Sequence, residues 1–140
     1  MATDLHDLSI GELSRLIAAR KLSPVDLVEA LIQRIEQYDG QTRAFITRTF
    51  DLARQQARQA EVELAASPPR GPLHGIPFAL KDIYDTRGIL TSAHSRIFLD
   101  RIPAADATAT TRLYDAGAVL LGKLAMIEFA ETAVTGPRLA

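Results

Sequence analysis

Through the first half of the chain apolar residues recur every three or four positions, which is the spacing of one face of an α-helix. The first predicted helix follows Ser9, which has the spacing of a capping box with Glu12. The second predicted helix begins at Pro24, with Ser23 as its N-cap, and ends at Asp39-Gly40. The apolar stripe of this second helix consists of Val25, Val28, Leu31, Ile32, Ile35 and Tyr38.

The third predicted helix runs from about Thr49 to Ala65 and has an apolar face made mostly of alanine. Its charged residues fall on the other side, so we interpret this run of charge as a solvated helix face. The segment Ser67–Pro72 contains three prolines and ends the helical pattern, because proline lacks the backbone N–H. The predicted apolar face consists of Ala53, Ala57, Ala60 and Leu64.

Beyond the proline-rich segment the patterning changes from helix to strand. Two apolar runs without polar alternation, Ile76–Leu80 and Ala118–Leu121, predict strands that are covered on both faces. A helix is predicted between them, capped by Asp106 and followed by Gly117 in a left-handed conformation. Strand, helix and strand in this order predict a parallel pair of strands, and the predicted fold class is therefore α/β.

Composition and charge narrow the class of protein. The 140 residues are 47% apolar and 24% charged, which is typical of a folded domain. A formal net charge of −1 provides no basic field for nucleic acid or an anionic membrane surface, so we expect no direct nucleic-acid site and no membrane association. The absence of cysteine excludes a thiol nucleophile and agrees with a cytoplasmic protein.

The candidate chemistry lies in the segment Gly71–Asp82, where an apolar strand ends in Lys81 and Asp82. A lysine at a strand end commonly solvates its ammonium or pairs with a neighbouring carboxylate, and the residue types alone favour this interpretation. A desolvated lysine would instead lose its proton more easily and could accept one from a hydroxyl nucleophile. For that second role we expect Lys81 at or just beyond the strand end and at least half buried.

Other common sites have no signature in the sequence. Neither a glycine-rich phosphate loop nor a histidine pair with metal-ligand spacing is present. We therefore expect no cofactor and no metal. The histidines interpreted as ordinary surface or loop residues are His6, His74 and His94.

Four ordered motifs resemble those of the amidase signature family: Gly75–Asp82, Thr86–Thr91, Pro103–Ala107 and Ala116–Lys123. The predicted N-terminal helices and the segment Gly122–Ala130 extend the resemblance over nearly the whole chain. The resemblance implies a mixed sheet flanked by helices and an enzyme that hydrolyses carbon–nitrogen amide bonds in small molecules. The family includes stand-alone amidases and the A subunits of tRNA-dependent amidotransferases, which release ammonia from glutamine.

The resemblance also implies a Ser-Ser-Lys mechanism, in which Lys81 is the lysine that accepts a proton. Both family serines lie downstream of the Glu-Phe-Ala motif, so Lys81 is the one catalytic residue that the resemblance carries over to this chain. Ser92 and Ser95 are not expected to replace those serines. We therefore interpret the chain as the N-terminal part of an amidase signature domain, inactive alone: helical over residues 1–66, sheet-forming over 71–130, with an atypical tail at 131–140. The sequence is consistent with a truncated or frame-shifted gene and with a deliberate fragment, and it does not distinguish these origins.

Two alternatives remain open at this point. Leu124-Ala125 stands where polar residues are common in the amidotransferase subunits, which favours a stand-alone amidase over such a component. In a different class, the chain is a non-catalytic module that binds a partner. The strand Ala118–Leu121 would then present an unprotected edge or apolar face, and self-association would follow.

Overall fold

The computed structural model describes residues 4–131, so most of the predicted tail lies outside the described residues. No helix within residues 4–131 is long and apolar enough to cross a membrane. Single turns of 3₁₀-helix lie at Leu5–Asp7, Arg96–Phe98 and Glu128–Ala130. The longer elements, in chain order, are α1 (Ile10–Ala18), α2 (Pro24–Thr42), β1 (Phe45–Arg48), α3 (Phe50–Ala66), β2 (Pro77–Lys81), α4 (Thr108–Asp115) and β3 (Val119–Leu124).

The strands form one mixed sheet in the order β1-β3-β2. Strands β2 and β3 are parallel, which confirms the predicted pair, and Leu80 lies opposite Lys123 in their register. Strand β1, which was not predicted and interrupts the stretch predicted as helical, runs antiparallel to β3. The prediction that residues 118–121 expose a sheet edge is wrong, because β1 and β2 flank β3 on both sides.

The predicted starts of α1 and α2 are confirmed by their capping bonds. The Ser9 N–H donates to Glu12 Oε2 at 2.8 Å, and the Glu12 N–H donates to Ser9 Oγ at 3.3 Å. At the start of α2 the Val25 N–H donates to Ser23 Oγ at 3.0 Å. Each side chain satisfies a backbone donor that the first helical turn would otherwise leave without a partner.

The predicted end of α2 at Asp39-Gly40 is wrong, because the helix continues to Thr42. Asp39 is buried and accepts the Ala44 N–H at 2.6 Å and the Arg48 guanidinium at 2.9 Å. The hydrogen bond from Arg48 lowers the pKa of the Asp39 carboxyl. The carboxylate therefore joins the last turn of α2 to β1, and the chain reverses one residue after the helix.

Helix α4 begins without a side-chain cap, so the capping role predicted for Asp106 is wrong. Its carboxylate instead accepts the Arg87 N–H at 2.7 Å and holds a different loop. The left-handed conformation predicted for Gly117 is confirmed, with φ at +80°. A Cβ atom at Gly117 would lie 2.5 Å from Cδ2 of His74, so the close approach of the histidine ring requires glycine.

The core lies where α2 and α3 pack on β3. The alanine face predicted for α3 is confirmed as buried, and it lets the helix approach the sheet closely. Tyr38, predicted to belong to the apolar stripe of α2, is 44% exposed. The buried cluster consists of Val28, Ile32, Ala53, Ala57, Val119 and Leu121. A second cluster beneath α1 consists of Leu13, Ile17, Leu27, Leu64 and Ile76.

Candidate active site

Lys81 is the last residue of β2, at the strand end that the sequence predicted for it. Its side chain is exposed, contrary to the burial that we predicted for it. The physical reason is the alternation of side chains along a strand, because Leu80 occupies the buried position and Lys81 therefore projects from the other side. The Lys81 amine at the end of β2 is therefore accessible to solvent in this structure.

The residue after Lys81 is anchored through its backbone and through its side chain. The Asp82 N–H donates to Leu124 O at 3.1 Å, and the Asp82 carbonyl accepts the Ala93 N–H at 3.1 Å. Its Oδ2 atom accepts the Ser92 N–H at 3.0 Å and the Ser92 hydroxyl at 2.7 Å. Asp82 is 1% exposed, so the chain turns into the protein immediately after Lys81.

Lys123 on β3 is fully buried and faces this anchored carboxylate. Its Nζ lies 3.3 Å from Asp82 Oδ1 and donates to the Tyr84 carbonyl at 2.9 Å and to Thr91 Oγ1 at 2.7 Å. Burial lowers the pKa of the Lys123 ammonium, and the Asp82 carboxylate opposes that change. A buried charge requires such partners, because removing an ion from water is costly.

The sequence reasoning placed Lys123 in a motif but gave it no role. The available signal was a lysine two positions after Ala118–Leu121, the run predicted to be covered on both faces. A lysine in such a strand requires a buried partner. That the partner is Asp82 depends on the register between β2 and β3, which sequence patterning does not supply.

The two serines near the strand ends both bind carboxylates. Ser92 donates to Asp82, as described, and Ser95 Oγ donates to Glu128 Oε1 at 2.6 Å. The two serines are 5% and 2% exposed, respectively. Their hydroxyl groups therefore hold the loop in place and are shielded from solvent.

An open depression of about 420 Å³ lies beside the strand ends. Tyr84, Phe98 and Phe129 line it, and an ion pair between Asp85 and Arg101, 2.7 Å apart, lies at its wall. The hydrogen bond from Arg101 lowers the pKa of the Asp85 carboxyl. Segments around the depression carry exposed apolar side chains, which we call the apolar patch: Ile83, Tyr84, Ile97, Leu99, Ile102, Ile127 and Phe129.

A separate polar cluster surrounds His74, at the opposite end of β2 from Lys81. His74 lies in the turn before β2, as predicted for a loop histidine, but it is 3% exposed, so its ring is buried and not on the surface. Its Nδ1 accepts the Arg70 N–H at 3.2 Å, and its Nε2 lies 3.1 Å from Glu63 Oε2. Burial lowers the pKa of the His74 imidazole, and the Glu63 carboxylate opposes that change.

Among residues 4–131, Asp4, His6 and Asp7 form the group whose ligand atoms lie close enough together for a metal ion. All three side chains are exposed, and they belong to the turn before α1. Acidic residues are favourable near a helix start for electrostatic reasons alone. We assign this group no metal and no part in the chemistry at Lys81.

The α/β fold of this chain is similar to that of solved amidases. Peptide amidase from Stenotrophomonas maltophilia matches with a TM-score of 0.82 and 36% identity, over 88% of this chain and 26% of that chain. Fatty acid amide hydrolase matches with a TM-score of 0.84 and 27% identity, over 88% of this chain and 22% of that chain.

The family comparison agrees with the structural one. The family model described as Amidase matches residues 26–139. The A subunit of glutamyl-tRNA(Gln) amidotransferase from Moorella thermoacetica is 43% identical over 127 residues, which are 91% of this chain and 26% of that protein. The chain belongs to the amidase family, as the four motifs predicted. It spans about a quarter of the length of the curated relatives that it matches.

Proposed function

We propose that Lys81 is the base of an amide-hydrolysing enzyme. The position of Lys81 at the end of β2, followed by the buried and anchored Asp82, is the observation that carries the proposal. The neutral amine of Lys81 accepts the proton of a serine hydroxyl, and the serine oxygen attacks the amide carbonyl. The Lys81 ammonium then returns that proton to the amide nitrogen, the tetrahedral intermediate expels ammonia, and water hydrolyses the resulting acyl-serine ester. In this proposal the two serines of the Ser-Ser-Lys mechanism lie in the part of an amidase domain that this chain does not cover.

A lysine acts as a base only as the neutral amine, and removal of water favours that form. Lys81 is exposed here, so the proposal requires that the substrate and the rest of an amidase domain cover it. The apolar patch supports this requirement, because it begins at Ile83, two residues after Lys81. An exposed apolar patch commonly marks a contact with another segment or molecule.

The proposal is tested in a hybrid enzyme, in which residues 1–131 of this chain replace the matched segment of the Stenotrophomonas maltophilia peptide amidase. The sequence contains three lysines, so Lys21→Ala, at another exposed lysine, is a matched control for Lys81→Ala. We expect the hybrid to release ammonia from peptide amides and Lys81→Ala to lower kcat by about 10²–10⁴-fold. Equal rates for the two variants would contradict the role of Lys81 as base.

The substrate of the complete enzyme is a small amide, and one specific alternative is glutamine. The relatives that are A subunits of glutamyl-tRNA(Gln) amidotransferase support glutamine hydrolysis. Leu124-Ala125 instead supports a stand-alone amidase. The assay uses this chain extended by its own downstream reading frame. Faster ammonia release from glutamine than from aliphatic and aromatic amides indicates the amidotransferase subunit, and the reverse indicates the stand-alone amidase. We propose the cytoplasm as the compartment, because the sequence has no cysteine.

A second proposed function is self-association through the apolar patch. The exposed fractions of Ile97 and Ile102 are 74% and 61%, which is high for large apolar side chains. Replacing Ile97 with aspartate is expected to shift the chain from dimer or higher assembly to monomer in sedimentation velocity. Val62→Asp is the control, because Val62 is 65% exposed on α3, outside the patch. A wild-type chain that is monomeric at high concentration would refute this second function.

A further inference from the structure

We propose that Asp82 and Lys123 are positioning residues that hold the end of β2 so that the Cα–Cβ bond of Lys81 points in a fixed direction. This inference rests on the proposed function of Lys81. Neither positioning residue is accessible to a substrate, since Asp82 and Lys123 are 1% and 0% exposed. They act on Lys81 through the backbone that joins it to Asp82.

The geometry of Asp82 fixes the chain directly after Lys81. Its backbone N–H and C=O bind two different segments, at Leu124 and Ala93, and its carboxylate binds the N–H and hydroxyl of Ser92. The Tyr84 N–H also donates to the Lys81 carbonyl at 3.1 Å, which closes a turn immediately after the strand. The backbone on the C-terminal side of Lys81 therefore has little freedom to rotate.

Lys123 connects the two sides of that turn with the neighbouring loop. Its ammonium contacts the Asp82 carboxylate and the Tyr84 carbonyl, which both belong to the turn, and the Thr91 hydroxyl in the loop. In the parallel register Lys123 lies opposite Leu80, so it shares a face with the residue before Lys81. Lys81 and Lys123 consequently project from opposite faces of the sheet, and Lys123 is not an alternative base at the same site.

Buried ion pairs commonly add little net stability to a fold. Matched apolar residues often replace such a pair without loss of stability, whereas removal of one partner leaves a buried charge. Asp82 Oδ1 has no hydrogen-bond donor among the described residues and only the ammonium at 3.3 Å opposite it. We therefore infer that the pair restricts the conformation of the turn. A catalytic lysine at the first position of that turn requires a fixed backbone to keep its amine near the reacting atoms.

The test replaces both charges together, as Asp82→Leu with Lys123→Met, in the hybrid enzyme and in the 140-residue chain. Ile32→Val, in the core beneath β3, is the control for a general loss of stability. In the hybrid we expect the double variant to fold and kcat to fall by about 10–100-fold with KM nearly unchanged, because a displacement of about 1 Å can cost that much. Ile32→Val should change neither quantity.

A second measurement separates failure of this inference from failure of the proposed function. In the 140-residue chain, amide relaxation by NMR should show new mobility at residues 81–84 in the double variant and an unchanged sheet elsewhere. A double variant that folds with wild-type kcat, or with wild-type order at residues 81–84, overturns the positioning role. If Lys81→Ala leaves kcat of the hybrid unchanged while residues 81–84 lose order in the double variant, the proposed function of Lys81 fails. The structural effect of the ion pair on the turn then remains supported.

Discussion

Replacing Lys123 alone with methionine tests the buried ion pair through stability. Methionine fills a similar volume but leaves the Asp82 carboxylate without its cation, at a position where Asp82 is 1% exposed. Breaking a buried pair in this way typically costs about 3–5 kcal/mol of the free energy of unfolding. The variant also leaves the Tyr84 carbonyl and the Thr91 hydroxyl without the donor that they have in the wild type. The upper half of that range is therefore the appropriate expectation.

The assay is urea unfolding of the 140-residue chain, followed by circular dichroism. With a typical slope of about 2 kcal/mol per molar urea, a loss of about 4 kcal/mol moves the midpoint by about 2 M. The double variant Asp82→Leu with Lys123→Met should recover part of this loss, because no buried charge remains. Recovery is incomplete because the Ser92 N–H and hydroxyl lose the carboxylate that accepts from them. A Lys123→Met midpoint within about 0.3 M of the wild type, which is a loss of well under 1 kcal/mol, would refute the reasoning.

Three further predictions concern other parts of the chain. The free energy of unfolding should decrease from about pH 7 to about pH 5.5. The reason is that the pKa of His74 lies below its ordinary 6.5 in the folded state, so the unfolded chain binds a proton that the folded chain does not. In His74→Asn the midpoint of urea unfolding should depend less on pH. Gly117→Ala should lower the free energy of unfolding by about 2–4 kcal/mol, from left-handed strain and overlap with His74, measured in urea. The 140-residue chain alone should release no ammonia from simple carboxamides above background, and a Lys81-dependent turnover would make Ser92 or Ser95 the candidate nucleophile.

The parts of the fold that could be predicted are those with local causes. Ser9 and Ser23 cap helices through bonds to residues two or three positions away, so their sequence context is sufficient. Strand β1 is four residues long and exists through its pairing with β3, which is distant in sequence. The true end of α2 depends on bonds from Asp39 to Ala44 and Arg48, which lie beyond the helix.

The candidate site shows the same division. The strand that ends in Lys81 has a local apolar pattern, and the family motif singled out this lysine. The partner of Asp82 could not be predicted, because Lys123 is 41 positions away and reaches it through the parallel register. Burial of Lys81 was predicted wrongly, because the apolar run before it indicated a buried strand and not which side of the strand the last residue occupies.

Chemical rescue tests the central claim, the role of Lys81 as a base, most directly. In the Lys81→Ala hybrid the missing amine leaves a space that a small primary amine such as ethylamine can enter. We expect ethylamine to restore part of the lost ammonia release, in proportion to the concentration of its neutral form. The Lys21→Ala hybrid should release ammonia at the wild-type rate without ethylamine, and added ethylamine should not change that rate. A Lys81→Ala hybrid that is already as fast as the wild type, or one that ethylamine leaves as slow as before, would contradict the assignment of Lys81 as the base.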